Sequence, residues 1–148
     1  MACVKPFQKL IWFSKMNMRV PVPVPCGHCP ACRRDKISMW SDRLAFEAIG
    51  KPSAFLTLTY NDDHLPEDKS VSFEDWQRFH DRLRHYPGVP KYKYFVTSEY
   101  GSVNFRPHLH VCIIGLDALS WSTWKAIDHA WENKGFFDIA PLSSARIL

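Results

Sequence analysis

Apolar positions along the chain switch between two periods. Ile37, Trp40, Leu44 and Ala48 recur three and four residues apart, the spacing of one helical face, and Gly50 and Pro52 end that run. "AFLTLTY", residues 54–60, alternates instead, with Leu56 and Leu58 to one side and Thr57 and Thr59 to the other, which predicts a strand. After the polar stretch "NDDHLPEDKS", Phe73, Trp76, Phe79 and Leu83 make a second helical stripe, with Ser72 as its N-cap and "YPGVP" as its stop. Lys91–Tyr100 and Pro107–Gly115 predict two strands joined through Gly101 as an antiparallel hairpin. A third helix is expected from Ser120, with Trp121, Trp124, Ile127 and Trp131 as its core stripe and Gly135 at its C-terminal end. "FFDIA" predicts one more strand, and "PLSSARIL" a turn and the opening of a further element.

The strand parities agree with one another. Leu56, Leu58, Tyr94, Val96, Leu109, Val111 and Ile113 can share one apolar face, while Thr57, Thr59, Thr97, Glu99, His108 and His110 share the opposite, polar one. The expected fold class is therefore α+β: a central antiparallel sheet with helices on its apolar face and an open polar floor. The first 25 residues read differently. "RVPVPVP" alternates valine with proline, so it is extended and cannot be helical. The expected organisation is a basic N-terminal arm with a cysteine cluster over residues 1–36 and a folded domain over residues 37–148.

Charge supports that division. Residues 1–36 carry seven Lys/Arg and one acid, a net +6, whereas the remainder carries a net −2. A basic arm on a near-neutral domain suits a nucleic-acid partner, although a solvated basic face is the bland alternative. Arg33, Arg34 and Lys36 are the chosen phosphate contacts. Aromatics make up 14% of the chain, which argues for a packed core, and no apolar run approaches the roughly 20 residues of a membrane helix. A soluble cytoplasmic protein without membrane contact is expected. Of five cysteines, Cys26, Cys29 and Cys32 are too close in sequence for a disulfide framework and point to a reducing compartment.

The polar floor carries the chemistry. His108 and His110 lie two residues apart and leave a strand on one side, with Glu99 across the turn. Two imidazoles and a carboxylate make a three-ligand divalent-metal site with open positions; the alternative is two ordinary strand histidines. Two nitrogen ligands favour Mn²⁺ in affinity and availability favours Mg²⁺. Arg106 is placed to pair with a phosphate. The cysteines offer three thiolates at knuckle spacing for Zn²⁺, with the fourth ligand open among His28, Cys3 and a distant residue, against three free thiols on a turn or an iron–sulfur cluster. Asp62, Asp63 and His64 are a weaker second metal group, set against a solvated turn. Cys112 shares the histidine parity, but burial is the usual fate of such a cysteine.

These residues carry a resemblance. "PHLHVCIIG" resembles the His-hydrophobic-His motif of the HUH endonucleases, which initiate rolling-circle DNA replication, and "FLTLTY" resembles their first motif. "PCGHCPACRR", "FLTLTYNDDHLP", "RFHDRLRHY" and "SEYGSVNFRPHLHVCIIG" follow one another as in the replication initiators of Microviridae, gokushovirus branch. The resemblance implies a ferredoxin-like domain that nicks and joins single-stranded phage DNA at an origin in a bacterial host, alongside the host replication machinery. It implies Glu99, His108 and His110 as holders of Mg²⁺ or Mn²⁺, with Thr57 and Thr59 beside the site as DNA contacts. It also implies a tyrosine nucleophile on a helix after the His-x-His strand. None of Tyr60, Tyr86, Tyr92, Tyr94 and Tyr100 follows His110. The expectation is therefore an initiator truncated before its nucleophile, with the catalytic tyrosine placed after Leu148. Three rivals stand beside this reading: a DNA-binding remnant without catalysis, a metal-dependent phosphoesterase using water, and a zinc-knuckle interaction module. The phosphoesterase would need a second His-x-Ser/Thr pair, which the sequence lacks.

Overall fold

The computed structural model describes residues 3–102 and 104–143. It divides into two compact units, one reaching to Arg43 and the other starting at Leu44.

The second unit is built on four strands: β3 (Ser53–Tyr60), β4 (Lys93–Tyr100), β5 (Pro107–Ile114) and β6 (Gly135–Pro141). Their order across the sheet is β4-β5-β3-β6, and every neighbouring pair is antiparallel. Helix α2 (Phe73–His85) links β3 to β4, and α3 (Trp121–Trp131) links β5 to β6. This is the split βαβ arrangement of ferredoxin-like folds. The α+β expectation therefore holds.

Burial follows the predicted parity. Leu56, Leu58, Leu109, Val111 and Ile113 form one core with Trp76, Phe79 and Leu83 of α2 and Ile127, Ala130 and Trp131 of α3. Ser72 caps α2, accepting a hydrogen bond from the Asp75 backbone N–H at 3.2 Å. Asp75 is itself buried and held by the Lys134 ammonium at 2.8 Å and the Tyr60 hydroxyl at 3.2 Å.

Several expectations need correction. Of the α3 stripe, Trp131 and Ile127 are core, but Trp121 is 66% exposed and stacks on Trp124 at 5.0 Å. Phe73 and Ile37 are likewise exposed, because an outermost stripe position loses contact when the helix turns away. Tyr94 faces the rings of Trp76 and His80 and stays partly open. Gly135 does not end α3: Glu132 and Asn133 take the left-handed positions, and Gly135 opens β6. A Cβ there would stand 1.9 Å from the Thr59 carbonyl oxygen, so only glycine lets β6 approach β3. Helices are not confined to one face. The last turns of α1 (Pro30–Ala48) set Leu44 and Ala48 against Cys112, Phe55 and Phe95, on the histidine side of the sheet.

The first unit holds a hairpin, β1 (Phe7–Phe13) and β2 (Met18–Val24), and the first part of α1. The expected arm is thus extended but paired. In the register Leu10 faces Pro21 and Gln8 faces Pro23. A two-stranded ribbon has two outer edges that need no ladder bonds, so alternating prolines fit. The turn closes through the Met16 N–H on the Phe13 carbonyl at 3.1 Å, with Asn17 at φ 49°. The further element expected after Pro141 falls largely on residues 144–148, outside the described residues. Among the described residues, no helix is long and apolar enough to cross a membrane.

Candidate functional site

Register brings the predicted polar residues together. His108 lies between Thr59 and Glu99, and His110 between Thr57 and Thr97, on neighbouring strands. The Thr57 hydroxyl sits 3.1 Å from His110 Nδ1, and the Thr59 hydroxyl 2.9 Å from His108 Nδ1. Each imidazole is thereby held at one nitrogen and leaves Nε2 as its outward donor, the arrangement by which outer groups orient metal-binding histidines. Thr57 and Thr59 thus spend their hydroxyls on the imidazoles. Glu99 reaches the same point: its carboxylate lies 3.2 Å from His110 Nε2. Phe55 stacks on the His110 ring at 5.4 Å.

His108 is set a little apart. Its ring centroid is 6.3 Å from that of His110, and its Nε2 would lie 2.8 Å from a Cβ at Gly101. The glycine keeps this space open. Burial, followed by the neighbouring His110, lowers the His108 pKa below the ordinary histidine value, while Glu99 opposes the shift. A neutral imidazole is the form that ligates a metal. The donor set, two nitrogens and one carboxylate oxygen on an open floor, fits a hard-to-borderline divalent ion with positions left for water or phosphate.

β6 adds a residue that sequence reasoning missed. Asp138 faces Thr57 across the β3–β6 ladder, so it stands on the histidine side, exposed. The signal was present in "FFDIA": with Phe137 and Ile139 packed on the core, parity turns Asp138 outward. Arg106 is placed otherwise than expected. Its guanidinium donates to the Tyr60 carbonyl at 2.7 Å and pairs with Asp62, so it fastens the loop after β3. His64 turns to Asn61, 2.9 Å away, and does not join Asp62 and Asp63 in a metal group. Cys112 is buried, and burial pushes its thiol up to about 11.

The tyrosines all lie off the histidine side. Tyr60 belongs to the core, and burial pushes its hydroxyl up to about 12. Tyr86 and Tyr92 pack against that same core, and Tyr94 and Tyr100 share the strand parity opposite to Glu99. The nucleophile that the resemblance places after Leu148 lies outside the described residues, as does Leu148 itself.

In the first unit the cysteine cluster gains a member. The Sγ atoms of Cys3, Cys26, Cys29 and Cys32 all lie within 4.8 Å of one another, close enough to hold a metal ion. His28 is outside this group and exposed. Backbone N–H groups of Cys32 and Val4 hydrogen-bond to Cys29 and pull its thiol down to about 6, and those of His28 and Cys29 lower Cys26. Arg33, Arg34 and Lys36 follow directly on the exposed first turns of α1.

The family model of the replication-associated protein ORF2 type matches residues 53–146. Replication-associated protein ORF2 of Spiroplasma virus 4 is 32% identical over 152 residues, covering 86% of this chain and 46% of that protein. Replication-associated protein VP4 of Bdellovibrio phage phiMH2K is 36% identical over 97 residues, covering 60% of this chain and 30% of that protein. The chain thus spans less than half the length of each of these relatives. No solved structure matches.

Proposed function

The chain belongs to the replication-associated protein ORF2 family, and on that premise we propose that it carries the metal- and phosphate-holding part of a nuclease that nicks and rejoins single-stranded phage DNA at its replication origin. The observation that carries this reading is the shared floor of Glu99, His108 and His110, with both Nδ1 atoms fixed by threonines and both Nε2 atoms turned outward. Mg²⁺ or Mn²⁺ bound there would polarise a scissile phosphate and offset its developing charge. Glu99 and the two histidines hold that position; Thr57 and Thr59 keep the rings oriented; the exposed floor leaves room for the strand. Arg33, Arg34 and Lys36 supply backbone contacts that do not depend on sequence. The four-cysteine group, with soft sulfur donors, suits zinc rather than either of these ions.

The test is Mn²⁺ binding by calorimetry. The protein should take up about one Mn²⁺, and His108→Ala with His110→Ala should weaken binding by at least about tenfold, since even outer-shell changes reach that size. Equal binding by wild type and double variant would sink the assignment.

A second reading is favoured by one observation. With the tyrosines on the core, on α2 or on the opposite strand parity, these residues hold DNA and metal without themselves cutting. A tyrosine must stand in line with a metal-bound phosphate to attack it. No covalent protein–DNA adduct is therefore expected from this chain with origin single-stranded DNA and Mn²⁺. A mass-spectrometric adduct on any of its five tyrosines would reverse that expectation.

A further inference from the structure

We infer that Cys3, Cys26, Cys29 and Cys32 bind one zinc ion as a closed tetrathiolate, and that this ion, in place of a hydrophobic core, holds the N-terminal hairpin to the start of α1. Four sulfurs about 2.3 Å from a central ion stand about 3.8 Å from one another. Cys29 lies 3.5 Å from Cys32 and 3.9 Å from Cys3, on either side of that edge length. A disulfide would need about 2.05 Å, and all four thiols are free. The backbone is already turned toward thiolates: Cys26 N–H points at Cys3 Sγ at 3.3 Å, and Cys29 N–H at Cys26 Sγ at 3.4 Å. Such N–H···S bonds spread negative charge that would otherwise crowd four sulfurs together. Four protein ligands leave no open position, which marks a structural site and not a catalytic one.

The fold of this unit supplies the second argument. Among described residues 3–43, only Ala31, Cys32 and Ser41 are buried. β1 is exposed along its whole length. A lone hairpin is marginal in water, and a unit this small needs another source of stability. Cys3 precedes β1 and Cys26 follows β2, so one ion on both closes the entire hairpin. Cys29 and Cys32 then tie the closed loop to the first turn of α1. In such units metal binding and folding are one event.

The test uses the full chain, purified without added metal. Elemental analysis should find about one zinc per chain, and Co²⁺ exchanged into the site should give the intense ligand-field bands of a tetrahedral thiolate centre. Cys3→Ser should alter those bands and weaken zinc binding by at least tenfold, whereas His28→Ala and Cys112→Ser should leave both unchanged. For wild type, a strong chelator should open Cys3, Cys26, Cys29 and Cys32 to alkylation and raise amide exchange in residues 7–24, with residues 53–60 and 107–114 unmoved. Iron in place of zinc, a Co²⁺ spectrum indifferent to Cys3→Ser, or hairpin exchange indifferent to the chelator would each overturn the inference. The alkylation and exchange arms need no variant, so a misfolded Cys3→Ser protein does not leave the question open.

Discussion

The two units solve the same problem with opposite chemistry. From Leu44 onward, one sheet face and two helices bury a continuous set of leucine, isoleucine and aromatic side chains. Before it, a hairpin of seven-residue strands exposes nearly everything it has, and four sulfurs gather at its base. The first kind of unit answers to volume and packing. The second answers to whatever competes for thiolates. The difference also separates two jobs: the packed unit can hold a precise floor of imidazoles, while the other presents basic side chains that need reach more than precision.

The largest expected effect falls on packing. Gly135→Ala should unfold β6 from β3, because the new methyl would meet backbone at Thr59 and Asn61, which cannot step aside. Leu58→Ala should cost about 2–5 kcal/mol, the range for emptying a fully buried leucine site. Ile11→Ala, in the exposed hairpin, should cost within about 0.5 kcal/mol. Chemical denaturation of the three variants checks the contrast. A large loss at Ile11 would mean that the hairpin has a packed partner.

A second pair of variants crosses the units by function. Replacing Arg33, Arg34 and Lys36 with glutamine should weaken single-stranded DNA binding across all sequences. If all three contact phosphate, the slope of log K against log salt should flatten by about 2, at about 0.7 per contact. Mn²⁺ affinity should not change. Gly101→Ala should do the reverse, forcing the His108 ring from its place and weakening Mn²⁺ by roughly tenfold while leaving the salt slope intact. An effect of Gly101→Ala on the salt slope alone would separate the glycine from the metal floor.

The packed unit was largely legible in sequence for a physical reason. Strand alternation and helical stripes are imprinted by burial, so Leu56, Leu58, Trp76, Phe79 and Ile127 announce their side of the sheet. The Glu99, His108 and Thr57 positions follow from the same parity, since register is what a half-buried sheet fixes most firmly. What escaped is what parity does not govern. Trp121 sits at the edge of its stripe, where the helix has already left the sheet. Arg106 found a partner in Asp62, forty-four residues away, through a loop whose path no local pattern gives. Cys3 is twenty-three residues from Cys26 and joins it because the hairpin folds back on itself. The alternation of valine and proline was read as an arm because pairing partners for β2 lie in "FQKLIWF", which carries little alternation of its own.

The smallest effect concerns acid, and it again divides the units. His80 on α2 stands against the rings of Trp76, Tyr92 and Tyr94. Burial lowers its pKa below the ordinary value, with Arg84 and His85 adding to the shift and Asp81 opposing it. The unfolded chain therefore holds more protons on this residue than the folded one between the lowered value and about 6.5. Stability from neutral His80 is complete above about 6.5 and is lost as pH falls through the folded value. His108 shifts in the same direction, so replacing His80 with glutamine should flatten the acid slope of the packed unit without abolishing it. In the other unit protons compete with metal for the four thiolates, and loss there should track free zinc concentration, which His80→Gln cannot change. Amide exchange read separately over residues 7–24 and 53–60, at two pH values and two zinc concentrations, distinguishes the cases. Zinc-dependent protection of residues 53–60 would show that the two units are not independent in the way their cores imply.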